Sequence, residues 1–117
     1  MQDIHRIGGA SVDNLRLKPA ERTLKPPGIS VLKAPTPDQA ATELRAAYPN
    51  AGGLDQAAKT VGSSTIEAIR SAGFDVIPAP TRKLPSHHRI IHPDGEAGFT
   101  DENLARLAEA FTNTTGH

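Results

Sequence analysis

The sequence predicts an α+β fold: a single compact domain over residues 1–117, with a small, mainly antiparallel sheet packed with about four helices. Segments typical of strands lie toward both ends of the chain, whereas segments typical of helices cluster in its middle. This segregation favours an α+β domain over a regular strand–helix alternation. A chain of 117 residues suffices for one domain of this kind.

Short runs of β-favouring residues predict the strands. In NLRLK, Leu15 and Leu17 alternate with polar residues, which is the pattern of a strand with one buried face. Pro26 and Pro27 stiffen the entry to GISVL, and Pro93 comes shortly after HHRII. The predicted strands are residues 3–7 (DIHRI), 14–18 (NLRLK), 28–32 (GISVL), 74–77 (FDVI) and 87–91 (HHRII).

Helix start signals and apolar stripes predict the helices. Thr36, Ser64 and Thr100 are expected N-caps, because a hydroxyl group at that position accepts hydrogen bonds from the first turn. Gly62 and Gly73 suit the C-terminal ends. The predicted helices are residues 36–49, 53–62, 63–73 and 100–111. The third passes directly into the strand FDVI, and this junction is the clearest supersecondary prediction.

Composition excludes several classes of function. With 13 basic and 13 acidic residues, the chain has no basic stripe for phosphates, so a nucleic-acid partner is not expected except as the substrate of an RNase. The absence of cysteine excludes disulfides, thiolate catalysis and cysteine-bound zinc. No apolar run approaches the roughly 18 residues of a membrane span, and the N-terminus lacks the regions of a signal peptide. We expect a soluble, cytoplasmic protein with no membrane partner.

Three of the five histidines lie in LPSHHRIIHPDG, residues 84–95. On a strand, His88 and His92 point to one face and His87 to the other. A metal site needs at least three converging ligands, so we expect none here. Imidazole acid–base chemistry near neutral pH remains open. The alternative is that these side chains bond to loop carbonyls or are solvated.

Two further segments have the residue types of a binding site. In HRIGG, Arg6 leaves a strand before Gly8 and Gly9, where close approach of the backbone N–H groups can hold an anion. An ordinary turn is the alternative. In GISVL, Gly28 permits close backbone approach, and Ser30 presents a hydroxyl from a rigid strand. The alternative for Ser30 is an ordinary strand serine bonded to its neighbours.

The C-terminal half, residues 74–111, resembles the end of small ADP-ribosyltransferase-like toxins, a family that includes a type VI secretion effector. The N-terminal half is similar more loosely, through a strand arginine followed by glycine and a later Gly-x-Ser-Val strand. The residues that carry the resemblance are Ile77-Pro78, Pro85, His87 and His88 with Pro93, Leu104, Leu107 and Phe111, then Arg6 with Gly8, and Gly28, Ser30 and Val31.

The resemblance implies a toxin-like bacterial enzyme that binds NAD in a cleft and transfers ADP-ribose or cleaves NAD. Arg6 would contact a phosphate or ribose, Ser30 would hold the nicotinamide ribose, and His88 would line the pocket as the third catalytic residue. The glycines Gly8, Gly9 and Gly28 would lie against the dinucleotide. A cognate antitoxin or immunity protein is the implied partner. No glutamate stands where such transferases place a catalytic one, and Glu96 is the possible substitute.

Two other functions stay open. A metal-free RNase toxin would use the histidines for acid–base chemistry, with Arg82, Lys83 and Arg89 beside the phosphate. A non-enzymatic module would bind a protein partner through the proline-rich segments LKPPG and IPAPTRKLP.

Overall fold

The computed structural model describes all residues from 1 to 117 and is built around one six-stranded sheet. Neighbouring strands are antiparallel throughout, and their order across the sheet is β4-β5-β2-β1-β3-β6. The strands are β1 (Ile4–Ile7), β2 (Ile29–Lys33), β3 (Thr60–Ser64), β4 (Asp75–Pro78), β5 (His87–Ile91) and β6 (Thr112–Thr115).

Six helices connect these strands, and the predicted α+β class is therefore confirmed. A 3-10 turn at Gly95–Gly98 precedes the last helix. None of the helices has the length and apolar character needed to cross a bilayer. The helices are α1 (Val12–Leu15), α2 (Pro19–Arg22), α3 (Pro37–Ala47), α4 (Leu54–Ala57), α5 (Ile66–Ser71) and α6 (Asp101–Glu109).

Helices cover both faces of the sheet, because successive strand residues point to opposite sides and both sides carry apolar residues. Ile29 and Val31 of β2 join Leu104 of α6 in the larger cluster, to which α1 and α5 also contribute. Leu32, the residue after Val31, packs on the opposite face with Ala40 of α3. The sheet is thus the middle of three layers.

The hydroxyl caps form largely as the sequence predicts. Thr36 and Thr100 accept hydrogen bonds from backbone N–H groups in the first turns of α3 and α6. The predicted cap at Ser64 is wrong, since Thr65 caps α5. Ser64 is the last residue of β3, and its hydroxyl donates to the carbonyl of Ala110 (2.7 Å).

The predicted strand at residues 14–18 is also wrong. Ser11 Oγ accepts a hydrogen bond from the N–H of Asn14 (3.2 Å) and so starts the helical turn of α1. Leu15 and Leu17 are both buried in the larger cluster. Their alternation with polar residues therefore marked burial, and not an extended backbone.

The predicted helix over residues 53–62 is too long, because α4 ends at Ala57 and β3 follows. Thr60 and Val61 are β-branched, which suits the sheet position that they occupy. Gly62 does not end a helix: a Cβ there would lie 2.6 Å from Cβ of Ala10. Glycine is needed at this position because another chain segment approaches the strand closely.

The β6 strand was not predicted at all. Its residues Thr112–Thr115 pair with β3 and form one edge of the sheet, and the β-branched threonines are the signal that could have found it. β4 forms the other edge. The predicted passage from α5 into β4 is confirmed, with Gly73 at a φ of 94° between them.

An aromatic cluster of Phe74, His92 and Phe99 lies near the end of β5. His92 packs edge-on against Phe74, with ring centroids 4.9 Å apart, and Phe99 contacts Phe74 in the same way at 5.5 Å. The imidazole of His92 also covers Gly98, so that a Cβ at this glycine would overlap the ring.

We predict that Gly98→Ala destabilises the protein by about 1–3 kcal/mol, because His92 is held between Phe74 and Phe99 and cannot yield to the new methyl group. Gly52→Ala is the matched control, since a Cβ at Gly52 has no neighbour within 4 Å. Urea unfolding of the two variants measures both effects. Equal midpoints for the two would contradict this packing.

Candidate functional site

The strands β1 and β2 separate partway along their length. They pair as far as His5 and Leu32. In the same register Arg6 would oppose Val31 and Ile7 would oppose Ser30, and these residues are not paired. The backbone groups of Ser30 that face β1 therefore need other partners, since buried backbone groups are rarely left without a hydrogen bond.

A buried ion pair supplies those partners. The N–H of Ser30 donates to Glu21 Oε2 (2.9 Å), and its carbonyl accepts from Arg6 Nη1 (2.8 Å). Arg6 Nη1 lies 3.5 Å from Glu21 Oε2, and both side chains are more than nine-tenths buried. The two side chains thus replace the missing rung of the ladder.

The same pair attaches the helical segment that follows β1. Arg6 Nε and Nη2 both donate to the carbonyl of Asn14, at 3.1 and 2.7 Å, and Asn14 Nδ2 donates to the carbonyl of Ile7 (3.2 Å). Glu21 Oε1 accepts from the N–H of Lys18 (2.9 Å). Burial lowers the pKa of the Arg6 guanidinium, and the charge of Glu21 only partly opposes that effect.

A cleft of about 300 Å³ opens where the two strands separate. Its walls are mainly apolar and include Leu32 of β2, Leu44 of α3 and Leu84 of the loop before β5. The exposed Lys18 and the half-buried Asn14 also line it. These dimensions are at the small end of the range for ligand sites, which begins at roughly 300 Å³.

Two residues that line this cleft each have a polar side-chain atom without a protein partner. The Ser30 hydroxyl makes no hydrogen bond within the chain, although both backbone groups of the residue are bonded. His87 Nδ1 lies 2.8 Å from the carbonyl of Ala79, which can only accept, so this nitrogen carries the proton. In the neutral ring, His87 Nε2 is then a free acceptor.

His5 also lies in the cleft wall, but its nitrogens are occupied. Nδ1 is 2.8 Å from Ser63 Oγ, and Nε2 is 2.8 Å from the carbonyl of Ala34. Burial lowers the pKa of His5, and the hydrogen bond to Ala34 and the charge of Asp3 oppose this less strongly. His5 is a structural residue of the site.

The structure brings some of the predicted site residues together and separates others. Arg6, Gly8 and Ser30 line the cleft. Gly9, Gly28 and His88 do not, and each has a structural reason.

The two glycines after Arg6 do not form an anion site. The N–H of Gly8 donates to the carbonyl of Thr60 (2.8 Å), and that of Gly9 donates to the carbonyl of Arg6 (3.3 Å). Both residues have positive φ, 93° and 90°, so glycine serves the turn itself. The proposed phosphate role of these N–H groups is corrected accordingly.

Gly28 makes room for a side chain of the protein and not for a ligand. A Cβ at Gly28 would overlap the stem of Arg89 and lie 2.7 Å from the carbonyl oxygen of Ile90. Arg89 continues across the strand and donates to the carbonyl of Pro26 (3.0 Å).

His88 faces away from the cleft. It opposes Val31 across the β2–β5 ladder, and Val31 belongs to the larger core cluster on the other face of the sheet. Its Nδ1 lies 2.8 Å from the carbonyl of Ser86. His87 opposes Leu32 and takes the place that the sequence assigned to His88. Alternation along β5 would have indicated this, had the pairing of β5 with β2 been known.

The other candidates, Glu96, His88 and His92, do not line the cleft. Glu96 forms an exposed ion pair with Arg22 (3.5 Å). His87, His88 and His92 occupy three different environments, so they form no acid–base pair. No group of three metal-ligating side chains is present in the chain.

Fold and site together describe a small antiparallel α+β protein with a mainly apolar cleft where two central strands separate. Comparisons with protein-family models, with curated proteins and with solved structures find no match. The function of the cleft therefore has to be inferred from the residues that line it.

We predict that Arg6→Met and Glu21→Leu each destabilise the protein by about 3–5 kcal/mol, because each leaves the other charge buried and unpaired. The double variant should lose less than the sum of the two. Arg70→Met is the control: Arg70 and Asp75 pair at 2.8 Å but are about half exposed, so the expected loss is below about 1 kcal/mol. Urea unfolding measures all four. Additive losses in the double variant would contradict the coupling.

We predict that part of the stability is lost between pH 7 and pH 5 because of His5. Since its folded-state pKa lies below the unfolded value of 6.5, the unfolded chain gains a proton first as the pH falls. The contribution of His5 to the free energy of unfolding is complete above pH 6.5. It decreases below that pH, by at most about 1.4 kcal/mol per pH unit. His5→Gln should flatten the curve of unfolding free energy against pH. An unchanged slope in this variant would assign the effect to other groups.

Proposed function

We propose that the protein binds NAD, with the nicotinamide riboside end in the cleft between β1 and β2. The observation that carries the proposal is the pair of unpartnered polar groups, Ser30 Oγ and His87 Nε2, in an otherwise apolar site. An apolar wall suits a flat pyridine ring, and a few fixed polar groups suit the carboxamide and ribose hydroxyls.

The size of the cleft supports occupation by part of the dinucleotide. A volume of about 300 Å³ fits a nicotinamide riboside better than a complete NAD molecule. The pyrophosphate would then lie outside the cleft, near Lys18, which is exposed and makes no salt bridge. A lysine ammonium at that point favours a phosphate group.

Arg6 has a different role in this proposal from the one that the resemblance implies. Its guanidinium is bonded to Ser30, Asn14 and Glu21, so it holds the strands apart and positions Ser30. It shapes the site and does not bind the phosphates. Lys18 takes over the cationic role.

Cleavage of NAD is the reaction that we propose for the bound ligand. The bond between C1′ of the ribose and the nicotinamide nitrogen breaks, and its electron pair leaves with the nicotinamide. A water oxygen, or an acceptor hydroxyl in ADP-ribose transfer, bonds to C1′, and His87 Nε2 accepts its proton. Action as a toxin held in check by an antitoxin or immunity protein is part of the same proposal.

We predict that Ser30→Ala and His87→Ala each weaken NAD binding by roughly 5–10-fold, the loss expected for one hydrogen bond. His88→Ala is the matched control and should bind like the wild type, because this side chain faces the other side of the sheet. Isothermal titration calorimetry with NAD and with nicotinamide mononucleotide measures the affinities.

Two outcomes would contradict the proposal: no binding of either ligand at millimolar concentration, or wild-type affinity in both the Ser30→Ala and the His87→Ala variant. RNA cleavage by the wild type in EDTA, without NAD binding, would favour an RNase instead. Loss of bacterial growth on expression, relieved by His87→Ala and not by His88→Ala, would connect the cleft with toxicity.

A further inference from the structure

A group of hydrogen-bonded polar side chains lies at the β6 edge of the sheet, where this strand meets the N-terminal end of α3. Thr114 Oγ1 is 2.6 Å from His117 Nε2. On the other side of the imidazole, His117 Nδ1 is hydrogen-bonded to Asp38 Oδ1. A hydroxyl, an imidazole and a carboxylate thus form a continuous chain of hydrogen bonds.

The chemistry of the three groups fixes the direction of these bonds. An ionised carboxylate can only accept, so Nδ1 of His117 carries the ring proton. In the neutral ring Nε2 is then an acceptor, and the Thr114 hydroxyl is within donating distance of it; the same hydroxyl also has a longer contact, 3.4 Å, with the carbonyl of Val61. A base oriented by a carboxylate and bonded to a hydroxyl is the arrangement that activates an oxygen nucleophile.

Backbone contacts hold His117 in this position. Its N–H donates to the carbonyl of Lys59 (3.1 Å), and its carbonyl accepts from Arg45 Nη1 (2.6 Å). The imidazole is 9% exposed, whereas the Asp38 side chain is 80% exposed. Thr114 is half-buried.

We propose that Asp38, His117 and Thr114 form a nucleophilic site for acyl transfer from small carboxylic esters, separate from the cleft. Thr114 Oγ1 bonds to the carbonyl carbon as its proton passes to His117 Nε2. The ester C–O bond then breaks, the leaving alcohol takes that proton, and the acyl group stays on Thr114. Water, deprotonated by His117, releases the carboxylic acid and restores the threonine.

The same hydrogen bonds also fasten β6 to α3, so a stability measurement alone does not test the proposal. Covalent labelling does, because a threonine with a purely structural role has no enhanced reactivity. A fluorophosphonate probe forms an O–P bond to an activated hydroxyl and releases fluoride, and mass spectrometry of the peptides locates the label.

We predict that the folded wild type is labelled at Thr114 and hydrolyses p-nitrophenyl acetate with an acetyl group on the same residue. Thr114→Ser should retain the label, because it keeps a hydroxyl on the same base. Asp38→Asn and His117→Ala should slow labelling by about 10-fold or more. Thr115→Val is the matched control, since Thr115 is the neighbouring exposed threonine of β6, and it should be labelled like the wild type.

Absence of a label on Thr114 in the folded wild type would overturn the proposal. So would labelling of Thr114→Ser that does not change when His117 is replaced by alanine. Melting curves of each variant show whether it is folded, and Asp38→Asn remains informative if His117→Ala is not. None of these outcomes bears on NAD binding in the cleft.

Discussion

The arrangement of the site depends on how the backbone of Ser30 is bonded. In a continuous ladder its N–H and carbonyl would pair with β1, and no gap would exist between the central strands. Glu21 and Arg6 take these positions instead, at 2.9 and 2.8 Å. Removing two charges from water is costly, and only full hydrogen bonding of both groups offsets that cost. Here Arg6 also bonds Asn14 and Glu21 bonds Lys18, so one pair holds the strands apart and fixes the segment beside them.

Helix α3 contributes residues both to the cleft and to the proposed nucleophilic site at Thr114. Ala40 and Ala41 are fully buried, and these small side chains let the helix lie close to the sheet. Leu44 then reaches the cleft, and Asp38 reaches His117 near the other end of the helix. Six residues of helix separate the two by about 9 Å along the axis. The two proposed sites are therefore distinct in position but share one supporting element.

Local sequence patterns predicted what depends on local interactions, namely the Thr36 and Thr100 caps, the passage from α5 into β4, and a strand carrying Ser30. They did not predict β3 or β6, because these strands are short and are stabilised by pairing with distant segments. The choice of His88 over His87 failed for the same reason, since the face of each residue depends on its register with β2. Glu21 was missed as the partner of Arg6, because the two are brought together only by the folded chain. The hydrogen bond from Arg6 to the carbonyl of Ser30 likewise depends on the folded chain, and the spacing of the two residues in the sequence does not predict it.

Amide hydrogen exchange, measured residue by residue by NMR, tests the bonding of Ser30 most directly. In the wild type the Ser30 amide should be protected although it has no partner in β1. In a Glu21→Ala variant that remains folded, its protection should fall, while the Ala34 amide, which donates to the carbonyl of Asp3 (2.9 Å), should keep its own. An unprotected Ser30 amide in the wild type, or equal protection in the variant, would contradict a cleft held open by the Arg6–Glu21 pair.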